Sequence, residues 1–104
     1  MAKYLLAYKD SSMATTPAEQ EKQLQAWGSW FGALGTAVVD GGNPCGPSAY
    51  VASNGSVSQN APSALCGYSI LECESLAVAT EKAKGCPVLA SGGAVEVYEI
   101  FNAM

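Results

Sequence analysis

The stretch Cys66–Phe101, CGYSILECESLAVATEKAKGCPVLASGGAVEVYEIF, decides the fold. Its opening alternates: Tyr68, Ile70 and Glu72 fall on one side of an extended chain and Ser69, Leu71 and Cys73 on the other, the period-two pattern of a strand. Ser75 then offers a hydroxyl to cap a helix that runs to Lys84, with Leu76, Ala79 or Thr80, and Ala83 as its inward stripe. Gly85 ends that helix and Pro87 prevents its resumption. After the turn Gly92–Gly93, Ala94 to Phe101 reads as a second strand, Val95 and Val97 opposed to Glu96, Tyr98 and Ile100. The unit is strand, helix, strand.

The preceding half repeats the plan. Lys3 to Lys9 alternates Tyr4, Leu6 and Tyr8 against Leu5 and Ala7, a strand apolar on both sides. Thr16, Pro17 and Glu19 form a helix start, with Thr16 as cap and Pro17 at the first position, where a missing N–H costs nothing. The helix extends to Leu34 and stops at Gly35. Leu24, Trp27, Phe31 and Leu34 form its core stripe, with Trp30 at the margin. Gly28 and Gly32 weaken a helix interior by roughly 1 kcal/mol each, which points to close approach of another backbone. Thr36 to Asp40 is a short strand. Gly41 to Pro47 is a loop stiffened by two prolines. Pro47–Ser53 and Ser56–Gln59 flank Asn54–Gly55, the preferred two-residue hairpin turn. Two strand–helix–strand units with a small hairpin insertion predict one α+β domain over residues 1–104, a ferredoxin-like βαββαβ antiparallel sheet.

Right-handed crossovers put both helices on one face of such a sheet. The other face, apolar on every long strand, exceeds what monomers leave in water. A second copy packed face to face is the expected remedy, so the partner expected is a homodimer through the sheet face.

Composition excludes several functions. The chain has 104 residues, nine acids, five lysines, no arginine and no histidine, for a net charge of −4. That balance argues against nucleic acid and against an anionic membrane surface. Without histidine there is no imidazole base, no Ser-His-Asp triad and no histidine-containing metal site. Cysteines at 45, 66, 73 and 86 lack any Cys-x-x-Cys spacing, so no metal is expected and the thiols read as reduced. The apolar run Tyr4–Tyr8 is too short for a secretory signal, and no stretch is long enough to span a membrane. A cytoplasmic location and the absence of any cofactor complete these expectations.

Gly67-Tyr-Ser-Ile-Leu-Glu-Cys-Glu-Ser-Leu-Ala, Lys84-Gly-Cys-Pro-Val-Leu and Gly93-Ala-Val-Glu-Val-Tyr-Glu-Ile closely resemble the YCII-related family. So do Lys3-Tyr-Leu-Leu-Ala-Tyr and Trp27-Gly-Ser-Trp-Phe-Gly-Ala-Leu-Gly-Thr-Ala-Val-Val-Asp-Gly-Gly. The resemblance covers nearly all the chain outside the hairpin and implies a dimeric α/β barrel. Some members are thought to use a histidine–aspartate pair as acid and base. This chain lacks the histidine, so that chemistry does not carry over.

In such a fold a pocket lies between the first helix and the sheet, near the loop after the second strand. Asp40, entering that loop, is the candidate general base if desolvated; otherwise it caps a turn through the following amides. Asn43 and Cys45 share the loop, Cys45 as an accessible thiol. Trp30 is the aromatic for stacking, and Tyr8, Tyr68 and Tyr98 are hydrogen-bond donors or interface residues. Two functions follow. One is a small-molecule binder for an apolar, aromatic or lactone-like metabolite, with cofactor-free lyase or isomerase chemistry. The other is a non-catalytic dimeric structural or regulatory module.

Overall fold

A computed structural model describes residues 1–10 and 15–101. Strands β1 (Ala2–Lys9), β2 (Val38–Asp40), β5 (Leu65–Cys73) and β6 (Ala94–Ile100) form one sheet in the order β2-β5-β1-β6, every neighbouring pair antiparallel. Helices α1 (Pro17–Leu34) and α2 (Leu76–Ala83) join β1 to β2 and β5 to β6. This is an α+β fold whose strand order is compatible with the ferredoxin-like plan. A separate two-stranded ribbon, β3 (Ala49–Val51) with β4 (Val57–Gln59), is the expected hairpin insertion.

Register assigns the faces, because residues directly opposite in an antiparallel pair point the same way. Tyr4 faces Leu71 and Glu99, Leu6 faces Ser69 and Val97, and Tyr8 faces Gly67 and Val95. Tyr4, Leu6, Leu71 and Cys73 on this face are buried against Ala79 and Ala83 of α2 and against Trp30, Cys86 and Val88. Thr16 caps α1 by accepting from the Glu19 N–H, and Ser75 caps α2 by accepting from the Val78 N–H, as the sequence predicts.

On the opposite face Leu5 stands between Ile70 and Tyr98, Ala7 between Tyr68 and Glu96, and Lys3 between Glu72 and Ile100. Tyr98 is 52% exposed and Ile100 41%. Across its thin direction the Cα trace measures 18 Å, against 44 and 42 Å in the others. No helix among the described residues is long and apolar enough to cross a membrane.

Several local expectations are corrected. Trp30 is not marginal: it is the buried residue of α1, its Nε1–H donating to the Lys82 carbonyl at 3.1 Å. The reason is Gly85, where a Cβ would stand 3.3 Å from the indole ring, so the bare backbone gives the ring a seat. Leu24, expected in the core, is 74% exposed because the first turns of α1 stand off the sheet. Gly28 and Gly32 are not close-approach sites, for an added Cβ meets nothing within 4 Å at either. The second strand begins only at Val38, since Gly35–Ala37 winds into a 3-10 turn after the helix stop. The hairpin turn spans three residues: the Gly55 N–H donates to Ala52 O, the Ala52 N–H to Ser56 O, and Gly55 takes the left-handed conformation at φ 89°. A turn of this kind followed by a left-handed glycine closes hairpins with a bulge.

Candidate ligand-binding site

The loop after β2 is fastened to β5 by its own backbone. Asp40 Oδ1 accepts from the Gly42 N–H at 2.8 Å, turning the chain. Asn43 O accepts from the Tyr68 N–H at 3.3 Å, Pro44 bridges to Gly67, and the Cys45 N–H donates to Cys66 O at 2.9 Å. Two glycines permit this. Gly42 sits at φ 76°, where a Cβ would run into the Tyr68 carbonyl, and a Cβ at Gly67 would crowd both Asn43 O and the Tyr8 ring.

Beneath the loop runs a buried relay. The Tyr8 hydroxyl donates to Ser69 Oγ at 2.7 Å, and the Ser69 hydroxyl donates to Gly41 O at 2.7 Å. Ser69 is wholly buried, and its two bonds satisfy a group that would otherwise cost about 1–3 kcal/mol. Burial holds the Tyr8 phenol well above its ordinary value of 10.0, the Ser69 bond opposing this only in part. Tyr8 is therefore neutral at physiological pH, with its proton committed inward.

Between α1 and the loop lies a groove of about 530 Å³. Its apolar wall is Tyr8, Leu24, Trp27 and Phe31. The rings of Tyr8 and Trp27 meet edge to face at 5.0 Å, and those of Trp27 and Phe31 lie 5.7 Å apart at 36°. Gln20, Gln23 and Asn43 supply amides at the rim, and Cys45 and Cys66 supply thiols. No charged side chain among the described residues lines it. A volume in the usual range for small-molecule sites, an aromatic wall and a few polar groups suit a neutral, flat ligand. A second, larger groove of about 780 Å³ lies across α1, bordered by Glu19, Lys22 and Trp30. It is more open to solvent and flanked by the exposed first turns of the helix, so the smaller groove is the better-formed site.

The structure thus gathers Tyr8, Asn43 and Cys45 around one groove, which Tyr68 borders from β5 although its register puts it on the sheet's other face, and disperses the rest. Trp30 lies in the core and borders the other groove. Tyr98 is on the open face, donating its hydroxyl to Glu96 Oε1 at 3.1 Å; that carboxylate, itself 3.5 Å from Lys9 Nζ, holds the phenol above its ordinary value. Asp40 is exposed and occupied by its turn rather than facing the groove. Trp27 and Phe31, a core stripe by sequence, do pack against the core and also wall the groove, whereas nothing in the sequence but helical spacing marks Gln20 and Gln23. Their common signal was the helical spacing of Gln20, Leu24, Trp27 and Phe31, which marks one stripe without saying what it faces. Among the described residues no cluster of three or more potential metal ligands occurs. No family model matches the chain, and no curated protein matches it either.

Proposed function

We propose that this chain is a YCII-related protein of the dimeric α/β-barrel superfamily, working as a homodimer that holds a small, neutral, aromatic or lactone-like metabolite without a cofactor. The observation that carries the binding reading is the groove between α1 and the Gly41–Cys45 loop, walled by Tyr8, Trp27 and Phe31 and rimmed by amides. Binding without turnover is favoured over lyase or isomerase chemistry. Asp40, the candidate base, already accepts the Gly42 N–H, the Tyr8 proton is held by Ser69, and the chain has no histidine.

Support for the dimer comes from the uncovered sheet face. Its centre is apolar, with Leu5, Ile70 and Tyr98 in one row. Each end carries one cation and one carboxylate: Lys3 beside Glu72 at one, Lys9 beside Glu96 at the other. A two-fold axis lying in the plane of that face brings the apolar rows of two copies together, as an isologous interface requires.

The test is a thermal-shift screen of small aromatic acids, their neutral esters and amides, and lactones, followed by tryptophan fluorescence. A specific ligand stabilises by mass action, by about 2.7 kcal/mol at a hundredfold excess over Kd. Neutral members should raise Tm more than the corresponding carboxylates, since no cation lines the groove, and Trp27→Leu should abolish the shift while the fold persists. A screen without any shift, or one that survives in Trp27→Leu, would refute the assignment.

A further inference from the structure

Two of the four cysteines, Cys45 and Cys66, stand opposite one another although they belong to a loop and to the start of β5. The isolated bridge Pro44–Gly67 is antiparallel, so the next pair outward along the same ladder is Cys45 with Cys66, and the Cys45 N–H donates to Cys66 O at 2.9 Å. Directly opposed residues at a hydrogen-bonded antiparallel position have Cα atoms about 5.5 Å apart, within the separation that a disulfide spans. The β1–β5 register shifts between Tyr8 and Lys9, which pair with Gly67 and Leu65, leaving Cys66 as the extra residue of a bulge. The Cys66 thiol donates to Tyr8 O at 3.2 Å, and both cysteines border the same groove. Cys45 is exposed and Cys66 half-buried, so a small reagent reaches the first before the second. Cys73 and Cys86 differ: both are buried, and burial pushes the Cys86 thiol up to about 11.

We propose that Cys45 and Cys66 are a redox dithiol that closes to a disulfide at the groove by exchange with a low-molecular-weight disulfide. The Cys45 sulfur attacks the reagent, breaking its S–S bond; one half leaves as a thiol carrying the Cys45 proton, and the other remains as a mixed disulfide. The Cys66 sulfur then attacks the Cys45 sulfur and displaces the second half, which takes the Cys66 proton. One S–S bond is exchanged for another, with two electrons passing from the protein to the reagent. Disulfides at strained or exposed positions are the readily reduced kind, so this one is reversible. Closure fixes the Gly41–Gly46 loop to β5 covalently and encloses the β3–β4 hairpin in a ring.

The experiment equilibrates the full chain in a series of reduced-to-oxidised glutathione mixtures, blocks remaining thiols with an alkylating agent, and maps the products after chymotryptic cleavage. Cleavage after Tyr50 and Tyr68 puts Cys45, Cys66 and Cys73 on different peptides. The expected product is an intrachain Cys45–Cys66 link with Cys73 and Cys86 alkylated, and Cys66→Ser should stall at a glutathione adduct on Cys45. Mapping of the unaltered chain decides the matter even if Cys66→Ser fails to fold. Four alkylated thiols at the oxidising end, a persistent adduct on Cys45 beside an alkylated Cys66, or a link between two chains would each overturn the proposal. None of these outcomes bears on whether an aromatic ligand enters the groove.

Discussion

Ile70 and Leu71 are neighbours in sequence and in the same strand, yet they live in different molecules' worth of environment. Leu71 is wholly buried between sheet and helices, beside Tyr4, Leu6 and Ala79. Ile70, one residue earlier, stands on the opposite face, which no helix among the described residues covers, across from Leu5. The helix-covered face is complete within one chain, down to the Ser69 relay. The other is as apolar at its centre. In the proposed homodimer the sheet is half of a larger core, so the two faces fail in different ways when altered.

The largest effect belongs to the covered face. Leu71→Ala should cost about 2–5 kcal/mol by cavity formation, read as a lower chemical-denaturation midpoint at a fixed protein concentration. Next, Ser69→Ala should cost about 1–3 kcal/mol, because it leaves the Tyr8 hydroxyl and Gly41 O without their shared partner. On the open face, Ile70→Lys should leave the folded chain intact while halving its sedimenting mass, from twice 10.7 kDa to 10.7 kDa, at micromolar concentration. An unaltered chain already at 10.7 kDa would remove the proposed dimer and with it the comparison.

Alkaline pH probes the covered face without mutation. Cys86 and Tyr8, both on the covered side, have raised values: Cys86 goes from 9.0 to about 11, and Tyr8 lies well above 10.0, burial being the first cause for both. In the unfolded chain each ionises first, so above pH 9 the native state binds more protons and stability falls as pH rises. The Cys86 contribution is present in full below pH 9 and lost by about pH 11. Denaturation midpoints followed across that window should decline, and Cys86→Ala should flatten the part between 9 and 11.

How much of this the sequence discloses depends on whether a pattern lies within one element or between two. Alternation along β5 separates Tyr68, Ile70 and Glu72 from Ser69, Leu71 and Cys73, as found. Caps at Thr16 and Ser75 are equally local. Register between strands is not local. Tyr8, Tyr68 and Tyr98 read alike as strand tyrosines, but Tyr8 pairs with Gly67 on the covered face, while Tyr68 and Tyr98 stand on the open one. The seat of Trp30 is a property of Gly85, 55 positions away. The groove needs the loop fastened to β5 by main-chain bonds, and main-chain bonds leave no side-chain signature; the opposition of Cys45 and Cys66 was hidden for the same reason.

The smallest expected effect concerns the residue that sequence alone ranked first. Asp40 Oδ1 accepts one N–H, that of Gly42, at an exposed position. An asparagine keeps that oxygen and loses only the charge, so Asp40→Asn should change stability by less than about 0.5 kcal/mol, the usual size for surface substitutions. Asp40→Ala removes the acceptor and should cost more, about 0.5–2 kcal/mol if the turn resembles a helix cap in strength. The two together discriminate between carboxylate as base and carboxylate as turn. If Asp40 bonds only its turn, Asp40→Asn binds groove ligands as the unaltered chain does. If instead Asp40→Asn keeps its stability and abolishes conversion of a lactone or aromatic substrate, the carboxylate leaves its turn to meet the ligand, and the groove is an active site.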